Sequence, residues 1–243
     1  MNIAVIFAGG VGSRMHSVEK PKQFLEMYNK PIIIHTLELF DANAQIDAIV
    51  VACIEEWIPC LNKMLEKFQI KKVVKVVPGG ETGQLSIFNG LKAAKEYAGQ
   101  ENAVVLIHDG VRPLIRQETI DDNIRSVLEN GSAITTAVVK ETILVVDSNT
   151  GEIGDVPDRD CSRVAKAPQS FWIDDILEAH NMACIEGKYD YIDSCTMMKR
   201  YGYKLHLIDG PEENIKITTP QDFYVMRAIL EAKENAQIYG MDQ

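Results

Sequence analysis

The chain has 243 residues, 46% of them hydrophobic, enough for one substantial α/β domain or one domain with an appendage. Lys and Arg number 25 against 35 Asp and Glu, and a net charge of −10 makes general nucleic-acid binding a poor fit. No apolar run reaches the ~20 residues of a membrane span. Met1-Asn2 leads straight into a short apolar run without a basic segment, so neither an anchor nor a signal peptide is expected.

The first strand candidate, Ile3–Phe7, runs into Ala8-Gly9-Gly10-Val11-Gly12-Ser13-Arg14-Met15 and then Lys20-Pro21-Lys22-Gln23-Phe24. A buried strand entering a glycine-rich loop brings backbone N–H groups close to a polyanion. Arg14 and Lys22 can then neutralise phosphate charge. A basic trio such as Arg14, Lys20 and Lys22 is by itself an ordinary solvated patch, and the adjacent glycine loop in an acidic chain sets this one apart. The loop is not a dinucleotide fingerprint, because Met15 occupies the third glycine position. It is not a Walker A loop either, because no Gly-Lys-Ser/Thr follows.

Helical spacing at 32–42, a strand at Ala48–Ala52, a helix at 56–68 and a strand at Val73–Val77 come next. The turn Gly79-Gly80-Glu81-Thr82-Gly83-Gln84-Leu85-Ser86 then precedes a helix at 84–98, where backbone N–H groups can read a base edge or a phosphate. The strand Val104–His108 ends in Asp109-Gly110-Val111-Arg112-Pro113. Ligands of open α/β sheets bind beyond the carboxyl ends of strands, so Asp109 is placed to hold Mg²⁺ or a ribose hydroxyl. A turn or cap residue is the plainer reading of the same aspartate, and His108 reads as structural.

A helix at 117–129 and a strand at Ala133–Val138 follow. Thr142–Asp147 and Glu152–Val156, joined by Ser148-Asn149-Thr150-Gly151, then form a hairpin signal within an arm spanning 139–163. Docking of this arm on a second subunit is one expectation, and a hairpin packed on its own domain is the other. Helices at 173–186 and 192–201 and a strand at Lys204–Ile208 lead to Glu213-Asn214-Ile215-Lys216-Ile217-Thr218-Thr219-Pro220. There Lys216 stands in an extended segment before a final helix at 220–236, with Thr219 as N-cap and Pro220 at its first position. Strands alternating with helices predict an α/β fold, a Rossmann-like, mostly parallel sheet flanked by helices, with a projecting β-hairpin arm. No linker splits the chain, so a single domain over 1–243 is expected. Five cysteines without C-x-x-C spacing read as reduced thiols in a cytoplasmic protein.

Seven stretches occur in order: A-G-G-x-G-x-R-M, K-P-K-Q-F, P-I-I-I-H-T, G-G-x(5)-S, H-D-x-x-R-P, A-P-Q-S-F and N-I-K-I-T-T-P. With them, over nearly its whole length, the chain resembles the CTP-dependent polyol-phosphate cytidylyltransferases, which have a nucleotide-diphospho-sugar transferase-like fold. Two branches are similar: the 2-C-methyl-D-erythritol 4-phosphate enzymes of isoprenoid synthesis and the ribitol-5-phosphate enzymes of cell-wall and capsule synthesis. The resemblance implies that Ala8, Gly9, Gly10 and Gly12 line the CTP loop. Arg14 and Lys22 would stabilise charge at the α-phosphate. Gly80, Glu81 and Ser86 would read cytosine, and Asp109 and Gly110 would lie at the ribose and the metal. Arg159 and Lys216 would hold the polyol phosphate, with Arg159 carried by the arm toward the other subunit's site, and Asp193 matches an acidic residue of the acceptor pocket.

Three positions depart from the family pattern: Gly83 replaces an arginine, Ala167 a threonine and Ile192 a threonine. Loss of a hydroxyl from a site that hydrogen-bonds a polar group alters discrimination strongly, and Arg163 or Lys166 is expected to make up lost phosphate contacts. The implied reaction is attack of a polyol-phosphate oxygen on the α-phosphorus of CTP, with Mg²⁺, in a homodimer joined through the arm. The N-I-K-I-T-T-P stretch and Glu56-Trp57 lean toward ribitol 5-phosphate. The alternatives are 2-C-methyl-D-erythritol 4-phosphate as acceptor, or a nucleotide-binding protein without catalysis. Removing one charge-stabilising group such as Arg14 should cost on the order of 10²–10³ in rate.

Overall fold

A computed structural model describes residues 1–9 and 20–239. Gly10, Gly12 and Arg14 lie outside the described residues.

The chain begins with β1 (Asn2–Ala8), the short antiparallel pair β2 (Glu26–Met27) and β3 (Lys30–Pro31), and helix α1 (Ile32–Ala42). Strand–helix alternation follows: β4 (Ala48–Cys53), α2 (Ile58–Lys67), β5 (Val73–Pro78), α3 (Gly83–Ala98), β6 (Val104–Asp109), α4 (Gln117–Asn130) and β7 (Ser132–Val138). The arm carries β8 (Val145–Val146) and β9 (Ile153–Asp155). The chain then returns through β10 (Arg163–Trp172), α5 (Ile173–Ile185), α6 (Ser194–Arg200), β11 (Leu207–Asp209) and α7 (Pro220–Tyr239).

The main sheet runs in the order β11-β7-β10-β6-β1-β4-β5. All neighbours pair in parallel except β10, which is antiparallel to both β6 and β7. β4 and β6 are buried along their whole length, as strands covered on both faces must be. Alternate residues of β1 enter opposite cores. Ala4 and Ile6 join Phe40, Leu61 and Ile124 from α1, α2 and α4, while Ile3 and Val5 join Leu91, Ile176 and Met197 from α3, α5 and α6. A third cluster, with Ile32, Ile217 and Met226, seats α7 against the start of α1.

The predicted helices all form, with boundaries shifted by a residue or two; the final one extends to Tyr239. Thr219 accepts a hydrogen bond from the Asp222 amide, and the Asp222 carboxylate accepts from the Thr218 and Thr219 amides, a reciprocal cap for α7.

Two sheet expectations need correction. The expected strands include none at 163–172, a segment that carries Pro168, a residue unusual in a central strand. The structure forms one, and its register shifts between Ala165 and Gln169, so the proline falls where no ladder bond is needed. The last strand is Leu207–Asp209 rather than Lys204–Ile208. The Lys204 carbonyl and the His206 amide bond the Ser132 hydroxyl instead of a strand partner, so pairing with β7 begins only at Leu207.

The arm does not pack on its own domain. Every residue of β8 and β9 is exposed, and Val146, Ile153 and Val156 are each more than half accessible.

Candidate active site

The carboxyl ends of β1, β4, β5 and β6 open into a cavity of about 540 Å³. Its wall includes Gly9, Gly79, Gly80 and Gly83. Ser86 in the first turns of α3 accepts from the Gly80 amide at 3.0 Å and donates to the Thr82 carbonyl at 2.9 Å, folding the Gly79–Ser86 turn over the strand ends. A Cβ on Gly9 would lie 2.5 Å from the Ser86 hydroxyl oxygen, so this close approach of two loops requires glycine there. Ala8, Gly9, Lys22, Gly80, Glu81 and Asp109, with Ser86, all reach this cavity. Gly110 does not. It packs behind Ala8, its amide donating to the Phe7 carbonyl and its carbonyl accepting from Thr36. Of the pair Asp109 and Gly110, the structure brings only Asp109 to the cavity wall.

Asp109 ends β6, 5% exposed, between two cations. Lys216 Nζ lies 2.5 Å from Oδ1 and Arg112 Nε 2.8 Å from Oδ2. Lys216 is brought there by the bond from the Ile217 amide to the Val111 carbonyl, which lays the extended segment beside the turn after β6. Burial raises the Asp109 carboxyl, but Lys216 and then Arg112 outweigh it and hold the group at about 2, so it stays ionised. His108, fully buried beside it, is pushed down to about 4 by burial, and its Nε2 donates to the Arg112 carbonyl at 3.1 Å, as in a structural residue.

A second cavity, of about 320 Å³, adjoins the first across Phe7, Gly83, Asp109 and Lys216, which line both. All three departures from the family pattern, Gly83, Ala167 and Ile192, converge on it. So do Asp193 and Lys166. Asp193 caps α6, Oδ1 accepting from the Thr196 amide at 2.8 Å and Oδ2 from Gln169 Nε2 at 3.1 Å. Lys166 donates to the Glu212 carbonyl at 2.7 Å, and burial lowers its pKa. Arg163 is exposed, its guanidinium on the Asp160 and Ser162 carbonyls. Of the two residues expected to replace lost phosphate contacts, only Lys166 reaches the cavity. Arg159 lies in the arm near the Lys140 carbonyl and lines neither cavity of its own chain.

Several residues at these cavities were not singled out from the sequence. Arg112, inside the H-D-x-x-R-P stretch, bonds the Asn214 carbonyl as well as Asp109. Asn214, fully buried, donates to the Ala167 carbonyl at 2.6 Å. Gln84, 4% exposed, clamps the α5–α6 connection from both sides: Nε2 donates to the Lys188 carbonyl at 3.0 Å, and Oε1 accepts from the Tyr191 amide at 2.9 Å. All three stand inside stretches singled out above, but their hydrogen-bond partners, up to 107 residues away, are not legible from the sequence.

Residues 2–232 match the family described as 2-C-methyl-D-erythritol 4-phosphate cytidylyltransferase. The chain belongs to this family. A cytidylyltransferase is an enzyme, which sets aside the reading of a nucleotide-binding protein without catalysis. Among curated proteins, a ribitol-5-phosphate cytidylyltransferase of Vibrio parahaemolyticus is 56% identical over 241 residues, covering 99% of this chain and 100% of its own length. A 2-C-methyl-D-erythritol 4-phosphate cytidylyltransferase of Clostridium botulinum is 37% identical over 230 residues, covering 95% and 97%. Among solved structures, the 4-diphosphocytidyl-2C-methyl-D-erythritol synthase of Anaerococcus prevotii superposes with a TM-score of 0.81 at 27% identity, over 95% of this chain and 96% of that one. Lys216 and Arg112 flank one buried carboxylate, Asp109, where the two cavities adjoin. Among the described residues, no helix is long and apolar enough to cross a membrane, and the five cysteines are free thiols.

Proposed function

We propose that this cytidylyltransferase transfers CMP from CTP to ribitol 5-phosphate, releasing pyrophosphate. The observation that carries the reading is 56% identity, over essentially the full length of both chains, to a protein of that name. The paired cavities meeting at Asp109 and Lys216 support it. CTP occupies the first cavity and the polyol phosphate the second. A phosphate oxygen of the acceptor attacks the α-phosphorus, the new O–P bond forms as the bond to the β-phosphate oxygen breaks, and pyrophosphate leaves. No covalent enzyme intermediate is required, so catalysis is positioning plus charge stabilisation.

Lys22 in the first cavity and Lys216 at the shared boundary supply positive charge, and Arg14 adds to it. Lys216 is held on Asp109 and pre-aligned rather than gathered from solvent. Mg²⁺ fits this site as an ion bound mainly by substrate phosphates. No group of three or more His, Cys, Asp or Glu converges among the described residues, and one carboxylate with retained lone pairs, Asp109, suits that mode. Bound there, Mg²⁺ would offset charge on the triphosphate. The enzyme acts in the cytoplasm, a reading supported by its unpaired thiols.

The arm joins two copies, and its exposed Val146, Ile153 and Val156 are the apolar surface that pairing would cover. From the arm of one copy, Arg159 is carried toward the acceptor cavity of the other. Sedimentation of Ile153→Asp as a monomer, against a wild-type dimer, is the expected result; an unchanged sedimentation coefficient removes the arm from the interface.

The substrate is tested by pyrophosphate release from CTP and Mg²⁺ across ribitol 5-phosphate, 2-C-methyl-D-erythritol 4-phosphate, glycerol phosphate and pentose phosphates. Ribitol 5-phosphate is expected to give the highest kcat/KM. A higher value for 2-C-methyl-D-erythritol 4-phosphate reassigns the acceptor, and no turnover with any of them ends the reading.

A further inference from the structure

Gly83 and Gly154 alone among the described glycines lack a local reason to be glycine, and of the two only Gly83 lines the cavities. Gly99, Gly131, Gly151, Gly187 and Gly202 have positive φ, which L side chains rarely adopt. At Gly9, Gly79, Gly80, Gly90, Gly110 and Gly210 an added Cβ meets an atom within 3.2 Å, whereas at Gly154, in the exposed β9, it meets only a carbonyl at an ordinary contact distance of 3.6 Å. Gly83 has neither feature: no positive φ, and nothing within 4 Å of an added Cβ. It is the first residue of α3, after the Thr82 cap, where alanine would favour the helix more. The glycine therefore carries a conformational cost with no return in folding or packing, and such a position marks close approach by something outside the chain.

Its location says what approaches. Gly83 lines both cavities, and the others that do so are Phe7, Asp109 and Lys216, which enclose the boundary where the two substrates meet. A side chain at 83 would grow into the space connecting the cavities, whose neighbouring walls are otherwise fixed. Gln84 is buried and clamped to the α5–α6 connection, and Thr82 is held by its Leu85 bond and by the Tyr189 carbonyl. Residue 83 itself thus adds no side-chain atoms to the boundary of the two cavities.

We propose that Gly83 is a specificity-determining position: its missing side chain lengthens the acceptor cavity toward the nucleotide, so that the cavity takes an unbranched polyol phosphate of five carbons in preference to a shorter, branched one. The other two departures act in the same cavity, but only Gly83 faces both substrates. This inference rests on the assignment of the second cavity to the acceptor.

The test compares wild type, Gly83→Ala and Gly83→Arg in pyrophosphate release, with separate KM values for CTP, ribitol 5-phosphate and 2-C-methyl-D-erythritol 4-phosphate, and with thermal unfolding. Gly83→Ala is expected to melt at an equal or higher temperature, since Gly→Ala at a compatible helix position restrains the unfolded chain. Its KM for ribitol 5-phosphate should rise about tenfold, with KM for CTP within twofold. Gly83→Arg should lower the ratio of kcat/KM for ribitol 5-phosphate over 2-C-methyl-D-erythritol 4-phosphate by at least the same factor. A stable Gly83→Ala with unchanged acceptor KM overturns the proposal while leaving the substrate assignment intact. So does a CTP KM that rises in step with that of the acceptor. Wild-type failure on both acceptors overturns the assignment itself, and the proposal with it.

Discussion

The first cavity has Gly9, Gly79, Gly80 and Gly83 in its wall, whereas Gly83 is the one glycine among the described residues lining the second. The first takes its shape from glycines and one serine within the turns after β1 and β5. The second is assembled from the start of α3, the irregular middle of β10 and the α5–α6 connection, held by the amides of Gln84, Gln169 and Asn214. On the proposed function, the glycine-bearing wall meets what all substrates of such a family share, the nucleotide. A side-chain wall changes residue by residue without disturbing the fold, and this is where Gly83, Ala167 and Ile192 lie. The floor, Asp109 with Lys216, belongs to both.

The severest test of a shared floor is Lys216→Ala. Removing a charge donor preorganised for the transition state should lower kcat/KM by about 10²–10³. Because both cavities use the lysine, the loss should appear whichever substrate is varied. A loss confined to the KM of one substrate would separate the cavities.

Acidification distinguishes the floor from the acceptor wall. Asp109, held at about 2 against an unfolded value near 3.9, contributes stability above pH 4 that is lost only as pH falls toward 2. His180, in the acceptor wall, is 1% exposed, stacked on Phe88, and has no hydrogen-bond partner at either ring nitrogen. Burial pushes it down to about 4. The unfolded chain binds this proton near pH 6.5 and the folded chain only near 4, so stability is full above pH 6.5 and falls as pH drops toward 4. Urea unfolding at pH 7 and pH 4.5 should show His180→Leu losing about 2–3 kcal/mol less than wild type between the two. Equal losses would mean that His180 finds a partner in solution.

Gln84→Ala frees the α5–α6 connection and leaves the Tyr191 amide without its acceptor. A buried donor so stranded costs about 1–3 kcal/mol, expected as a roughly tenfold rise in acceptor KM with CTP KM nearly unchanged. Ser86→Ala is the mirror experiment and the mildest. The Gly80 amide loses its acceptor at the edge of the nucleotide turn, and KM for CTP should rise a few-fold while the acceptor KM stays put. Swapped outcomes for Gln84→Ala and Ser86→Ala would invert the assignment of the two cavities.

Sequence alone determined what is local. Uninterrupted apolar runs identified β1, β4 and β6 as buried central strands, because strands covered on both faces tolerate little else. Caps and spacing identified the helices, and the motif order identified the cytidylyltransferase family; Lys22, Ser86, Asp109 and Lys216, named from those motifs, line one cavity. Tertiary structure decided what depends on partners distant in sequence. β10 is a strand despite Pro168 because its register shift relieves the proline of a ladder bond. β11 starts late because the Ser132 side chain competes for the backbone before it. Gly110 turned inward behind Ala8, and Arg112, Gln84 and Asn214 became site residues through bonds spanning up to 107 positions. Hydrophobic period and turn chemistry are written along the chain, but a buried side chain's hydrogen-bond partner exists only once the sheet has brought its segments together.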